Sequence, residues 1–304
     1  MKSIVASLIR VLRRCFYNTP VKNWRLTAFL YAQVGRFMIG KDLYPIIPFE
    51  GIKLKTNGDD VIITAGLMNG NFEPFTIHIF HALVREALAT MEGESCFFVD
   101  VGANIGVFAV TAAAIDSRLK VFAFEPNPIS YQLLVDNIEL NKLTNVTPMN
   151  TAIGEGSGTA SLDISSHSAG LYSIHGTGSK RMEVPLVSLD DFFSTRDVWP
   201  RLFKADVEGY EPLVLRGMQG LLARGPLQII LEFNPELLKQ GGKEPEQFLQ
   251  ELALQFDAIY CLGEIERKTI LYRSGDLSLE RKICSIGCNL VLIKGEVPKC
   301  LACI

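Results

Sequence analysis

Asp100, Glu125, Asp206 and Glu208 are the acids of this chain placed where chemistry is done, because each lies at the close of an apolar run. Carboxylates at strand ends can hold an ammonium group, accept hydrogen bonds from sugar hydroxyls, or take a proton from an alcohol. Asp100 ends Phe97-Phe98-Val99-Asp100 and leads into Val101-Gly102-Ala103-Asn104-Ile105-Gly106, a tight glycine turn that opens a helix. Glycines there let backbone approach a ligand, and a helix N-terminus offers unpaired N–H groups. Glu125, nineteen positions after Gly106 in Phe124-Glu125-Pro126-Asn127-Pro128, is set to accept two hydrogen bonds from a ribose.

Which nucleoside sits there follows from the turn. A dinucleotide fingerprint needs a bare glycine at its second position, and here that position is Asn104. Asp100 beside the turn repels phosphate and suits a ligand carrying an ammonium or sulfonium charge. S-adenosylmethionine has both charges, has no phosphate, and has a ribose for Glu125. An NAD-type oxidoreductase is therefore disfavoured.

The second pair of acids lies in Leu202-Phe203-Lys204-Ala205-Asp206-Val207-Glu208-Gly209-Tyr210-Glu211. Strand alternation would project Asp206 and Glu208 from one side, at the carboxyl end of the sheet where ligands bind. With Asp100 and Glu125 they would form a negative mouth able to hold the cofactor's ammonium, bind a cation, or deprotonate an acceptor hydroxyl. The bland alternative is that they cap the following helix, and for Glu211 that reading wins. Glu232, in Ile229-Ile230-Leu231-Glu232-Phe233-Asn234-Pro235, could orient a substrate or cap a helix with equal weight. His167 and His175 are the histidines near this site and read mainly as solvated loop residues. His78 and His81 read as structural.

Stepping the pattern outward, strands are expected near 96–101, 120–125, 145–150, 201–206 and 227–233, and helices near 105–116, 128–141, 211–223 and 245–255. That alternation calls for a parallel sheet with helices on both faces. After residue 256, three short apolar runs without a full helix between them suit an antiparallel edge. Asn57-Gly58-Asp59 between Ile52-Lys53-Leu54 and Val61-Ile62-Ile63 reads as a hairpin turn, and Pro74 to Met91 as a helix. Residues 2–16 and 24–38 suit helices that dock on the core, or touch a membrane surface weakly through Arg10, Arg13 and Arg14. The polar, glycine-rich stretch 165–179 reads as a lid or substrate loop. The division expected is an N-terminal helical extension (1–48), a catalytic domain (49–295) and a tail (296–304).

Composition limits the partners. The chain has 304 residues, 48% hydrophobic and 21% charged, with net charge −3, so a broad basic face and a nucleic-acid partner are not expected. No apolar run is long enough to span a bilayer, and seven cysteines without an export signal fit a cytoplasmic protein. Cys284, Cys288, Cys300 and Cys303 have near-zinc spacing, yet Cys288 begins a buried strand and the last pair lies at the terminus. No metal is assigned.

Asp100-Val101-Gly102-Ala103-Asn104-Ile105-Gly106, Phe124-Glu125-Pro126-Asn127-Pro128, Val184-Pro185-Leu186-Val187-Ser188-Leu189-Asp190-Asp191 and Lys204-Ala205-Asp206-Val207-Glu208-Gly209-Tyr210-Glu211 occur in the order seen in the FkbM family of methyltransferases. The chain resembles that family from about residue 50 to about residue 240, departing at Ala205, where a larger aliphatic residue is usual. The resemblance implies a class I methyltransferase fold: a Rossmann-like α/β sheet of seven mostly parallel strands, the last antiparallel. It implies S-adenosylmethionine as cofactor, and a hydroxyl on a sugar, glycan or polyketide-like molecule as acceptor. Carried across, Gly102, Asn104 and Gly106 would shape the methionine-binding turn with Asp100 at its edge. Glu125 would hold the ribose, next to Asn127, and Thr151 and Ala152 would lie beside the adenine. Asp206 and Glu208 would face both the cofactor's amino-acid end and the acceptor. A catalytically silent S-adenosylmethionine-binding protein is the alternative, and oligomeric state is left open.

Overall fold

A computed structural model describes residues 45–57, 61–68, 70, 72–90, 96–163 and 181–302, with backbone alone at positions 61, 62, 65, 163 and 302. Strands β1 (Ile46–Phe49) and β2 (Ile52–Lys55) precede helices α1 (Val61–Met68) and α2 (Pro74–Thr90). Alternation then sets in with β3 (Cys96–Val101), α3 (Val107–Ile115), β4 (Leu119–Phe124), α4 (Pro128–Leu140) and β5 (Val146–Met149). Next come β6 (Ala152–Ile153), β7 (Gly158–Asp163), β8 (Arg181–Val187), α5 (Leu189–Ser194) and β9 (Leu202–Ala205). Helices α6 (Glu211–Arg216) and α7 (Gln219–Arg224) lead to β10 (Leu227–Phe233), α8 (Pro235–Gln240) and α9 (Pro245–Gln255). The chain closes with β11 (Ala258–Gly263), β12 (Lys268–Tyr272), α10 (Leu277–Ile286), β13 (Cys288–Lys294) and α11 (Lys299–Ala302).

The main sheet has eight strands in the order β12-β11-β13-β10-β9-β3-β4-β5. From β10 to β5 every pairing is parallel. β13 is antiparallel to both β10 and β11. This is the class I methyltransferase sheet, with β12 added as an antiparallel edge strand. The antiparallel strand β13 therefore inserts inside the sheet, although an edge position was expected for it.

Several local expectations are corrected. The hairpin turns at Glu50-Gly51, where φ values of 47° and 83° supply the left-handed pair that a tight two-residue turn demands. Val61–Met68 is helix instead of its second strand. The single helix expected over 211–223 is two, α6 and α7, separated around Gly217. A Cβ at Gly217 would stand 1.9 Å from the Gly154 carbonyl oxygen, so the backbones touch there. Between β12 and β13 lies α10, a full helix begun by Asp276, whose carboxylate accepts from Leu279 N–H. A three-stranded sheet, β6-β8-β7, was not anticipated. The domain line at 48/49 falls within β1, and the tail is docked: Leu301 is buried, and the Lys299 and Cys300 N–H groups donate to Glu86. The helices expected at 2–16 and 24–38, the loop 165–179, His167, His175 and Cys303 lie outside the described residues. Among those described, no helix is long and apolar enough to cross a membrane.

Register places Asp100 opposite Lys204, Lys204 opposite Ile230, and Glu232 opposite Asn289. By alternation these residues share the sheet face that packs on α2 and α3. The intervening residues Val99, Val101, Phe203, Ala205, Ile229, Leu231 and Phe233 face the other way, into a wholly apolar cluster.

Candidate active site

The glycine turn is wound so tightly that its amides are consumed internally. Gly102 and Ala103 N–H groups donate to the Phe124 carbonyl (3.0 and 2.9 Å), and Gly106 N–H donates to Ala103 (2.8 Å). Asn104, at φ 50°, donates its N–H to Glu125 Oε2 at 2.7 Å. These N–H groups are not free for a ligand, contrary to the sequence expectation, and a pyrophosphate would find no cradle among them. The glycines serve chain-to-chain approach instead. A Cβ at Gly102 would lie 1.9 Å from the Asp206 carbonyl oxygen, and one at Gly106 would lie 2.6 Å from Leu134.

Glu125 is held from two sides. Oε2 takes the Asn104 N–H, and Oε1 takes the Asn127 N–H at 2.8 Å. Each oxygen keeps acceptor capacity, so the carboxylate is pre-aimed without being saturated. Burial pushes its carboxyl up to about 7, against the pull of the Asn127 and Asn104 N–H groups. Asn127 Oδ1 caps α4 by accepting from Ile129 N–H, while its buried Nδ2 has no hydrogen-bond partner. Thr151 is half-buried in the link from β5 to β6, and Ala152 is buried where β6 pairs with β8.

On the neighbouring strands the central group is Lys204, which is 3% exposed. Its Nζ donates to Asp206 Oδ2 at 2.6 Å and lies 4.4 Å from the centre of the Phe108 ring. Burial opposes the ammonium, but Asp206, Glu73 and Asp100 outweigh it and hold Lys204 charged. Burial likewise works to raise Asp206, and the Lys204 charge and hydrogen bond overcome it, keeping this carboxylate below its ordinary range. Asp100, 1% exposed, is pushed to about 6 by burial, and neither of its oxygens has a hydrogen-bond partner.

The strand stops at Ala205, so strand alternation does not set the direction of Glu208. That residue sits at φ 55° in the turn after β9. Capping of this turn falls to Glu211, whose Oε1 accepts from Val207 N–H (3.0 Å) and Gly209 N–H (3.3 Å). Glu232 does no capping either: Asn234 Oδ1 takes the first N–H groups of α8. Burial first, then the charges of Asp206 and Glu208, pushes the Glu232 carboxyl well up. Its Oε2 has no partner.

Sequence reasoning missed Lys204, Glu73 and Asn289. Glu73 precedes α2, and its carboxylate accepts from Asn289 Nδ2 at 3.1 Å. The expected structural role of the α2 histidines stands for His81, buried and lowered to about 4 by burial and by Arg85; His78 is exposed. Cys261 and Cys288 bring their sulfurs to 3.1 Å across β11 and β13, with Cys284 on α10 and Cys300 on α11. Among the described residues no group of His, Cys, Asp and Glu is arranged to hold a metal ion.

Three residues here hold groups that a ligand can use: unpartnered acceptors at Asp100, an unpartnered donor at Asn127, and a pre-aimed carboxylate at Glu125. An ammonium-bearing nucleoside without phosphate fits that set. A family model described as the methyltransferase FkbM domain matches residues 100–259, more than half of the chain. The chain belongs to the FkbM methyltransferase family. S-adenosylmethionine is the cofactor that this membership brings, and Glu125, Asp100 and the turn suit it. The hexuronic acid methyltransferase AglP of Haloferax volcanii is 35% identical over 125 residues, covering 40% of this chain and 50% of that protein. A tRNA(Phe) (4-demethylwyosine(37)-C(7)) aminocarboxypropyltransferase of Methanocaldococcus jannaschii is 40% identical over 65 residues, covering 21% of this chain and 26% of its own length. The crystal structure of M. jannaschii TYW2 with AdoMet is similar at a TM-score of 0.38 and 18% identity, covering 84% of this chain and 86% of that one. The FkbM chain thus spans half or less of the curated relatives named here.

Proposed function

We propose that this FkbM-family chain is an S-adenosylmethionine-dependent methyltransferase acting on a hydroxyl oxygen of a sugar, glycan or polyketide-like small molecule. The observation that carries the reading is the doubly anchored Glu125 carboxylate beside the unpartnered Asp100. Similarity to a hexuronic acid methyltransferase favours a sugar among the acceptors.

Bound there, S-adenosylmethionine supplies an electrophilic methyl group on a cationic sulfur. Glu125 accepts the two ribose hydroxyls and so sets the nucleoside's orientation. Gly102, Asn104 and Gly106 fix the turn against which the cofactor lies, with Asn127, Thr151 and Ala152 on the adenine side. Asp100 and Asp206 face the ammonium, and Lys204 keeps Asp206 ionised. Glu208, in the turn after β9, faces the acceptor. Most of the acceleration comes from holding acceptor and methyl group in line, since displacement at a methyl carbon needs little acid–base help.

Calorimetric titration with S-adenosylmethionine and with NAD tests this. Micromolar binding of the former and none of the latter is expected, with Glu125→Ala weakening it about 100-fold, the equivalent of two charge-assisted hydrogen bonds. Labelled methyl transfer onto a panel of hexosides and hexuronides then identifies the acceptor. Binding indifferent to Glu125 would sink the cofactor assignment, and binding without transfer across the panel would favour a silent binding protein.

A further inference from the structure

Glu73 stands outside every sequence motif of the site, yet it reaches the reaction end of the sheet. Its carbonyl accepts the first helical hydrogen bond of α2, from Ile77 N–H at 2.9 Å, so it occupies the N-cap position. Its carboxylate does not do the capping. Glu264, carried in from beyond β11, takes the N–H groups of Phe75 (3.1 Å) and Thr76 (2.7 Å) instead. The Glu73 side chain is thereby released from its own helix and turned across to β13, where Asn289 Nδ2 donates to Oε2. Asn289 is fixed in its turn by a 3.1 Å contact with Thr76 Oγ1 and by register opposite Glu232.

Most other carboxylates of the pocket are committed, and Glu232, whose Oε2 has no partner, is pushed well up by burial and by Asp206 and Glu208, so that it holds its proton. Asp206 is bound to Lys204 and held ionised, which makes it a weak base. Glu125 is aimed by two backbone amides, and Glu211 by two more. Asp100 is buried opposite Lys204, whose charge draws its carboxyl down against burial.

We propose that Glu73 is the residue that receives the acceptor's hydroxyl proton during methyl transfer, with Asn289 as its positioning residue. The proposal rests on the methyltransferase reading above. The hydroxyl oxygen forms its bond to the methyl carbon, the methyl–sulfur bonding pair stays on sulfur, and the hydroxyl proton ends on the Glu73 carboxylate. Charge makes the exchange consistent. The groups facing Glu73 are Lys204 and Asp206 from β9 and its end, Glu264 after β11 and Asn289 on β13. Burial raises its carboxyl to about 7, opposed by Lys204 and reinforced by Asp206 and Glu264. An arriving sulfonium favours the ionised form and readies the base; consuming that charge lets Glu73 keep the proton.

The test needs no acceptor. The full chain is titrated at pH 7 with S-adenosylmethionine and with S-adenosylhomocysteine, in two buffers of different ionisation enthalpy, so that protons released on binding are counted. Because a carboxyl titrating near 7 is half-protonated there, the sulfonium ligand should release up to roughly half a proton more than its uncharged counterpart. Glu73→Gln should remove that excess, and Glu73→Asp should keep part of it. An excess unchanged in Glu73→Gln overturns the proposal. Should Glu73→Gln fail to fold, Asn289→Ala decides: losing the amide must shift the excess to higher pH, and no shift overturns the assignment. A wild-type chain that binds neither ligand would instead overturn the methyltransferase reading.

Discussion

The two faces of β3, β9 and β10 differ by a single step along each strand. On one face Val99, Val101, Phe203, Ala205, Ile229, Leu231 and Phe233 are all 2% exposed or less, and every one is apolar. On the other, Phe98, Leu202 and Ile230 continue the core, and then Asp100, Lys204 and Glu232 break it. A buried lysine among carboxylates is a poor way to stabilise a sheet, since desolvation offsets most of the Coulombic gain. The first face is what the fold requires, and the second carries the charges of the proposed site. Their separation lets the site be charged without disturbing half of the core.

The largest test removes Lys204 from the polar face. Lys204→Met should destabilise the chain by about 3–5 kcal/mol in urea unfolding, because it leaves Asp206 and Asp100 uncompensated. Adding Asp206→Asn should return much of that stability while cofactor affinity stays lost. Equal destabilisation by the single and double variants would mean that Lys204 acts through packing on Phe108. On the apolar face, Leu231→Ala should cost about 2–5 kcal/mol through the cavity it leaves. Its cofactor affinity should be unchanged in calorimetry at a temperature where the variant is folded; a loss would show that the two faces are coupled.

The smallest effect comes from pH. Glu73, Glu125 and Glu211 are each raised to about 7, so the folded chain holds protons that the unfolded chain has already released. Stability from these groups is therefore greatest at low pH and falls as pH rises through 7. His81, lowered to about 4, acts oppositely, but its contribution is complete above its ordinary value near 6.5. Between pH 6.5 and 8 the ligand-free chain should lose roughly 1–2 kcal/mol, read as a falling Tm. Saturating S-adenosylmethionine should flatten that slope; an equally steep slope with ligand would place these acids away from it.

Much of this was legible from the residues alone. Asp100-to-Gly106 and Phe124-to-Pro128 carry local signals, a turn and a capped helix start, and their structure follows their pattern. Lys204 gave none, because its burial among Asp100, Glu73 and Phe108 comes from groups distant in sequence, and only Asp206 lies nearby. Glu73 was hidden for the same reason: its partner Asn289 is 216 positions away. The hairpin was misplaced because Asn57-Gly58-Asp59 is the stronger local turn signal, whereas Glu50 adopts φ > 0 through its pairing context. β8 carries Pro185 in mid-strand, a residue that argues against a central strand; it is tolerated where β6, which pairs only with Leu186 and Val187, does not reach. Strand alternation misled at Glu208 because the strand had already ended.

The insertion of β13 between β10 and β11 has a consequence for synthesis on the ribosome. Every glycine-turn and strand-end residue of the pocket has been translated by residue 232, yet the strand carrying Asn289 follows much later. Until then β10 presents an unpaired edge, and β11 has no neighbour to join it to the sheet. The nascent chain thus carries Asp100, Glu125, Asp206 and Glu232 well before the strand whose Asn289 clamps Glu73. A product terminated before Cys288 is left with an open sheet and no Asn289 clamp on Glu73.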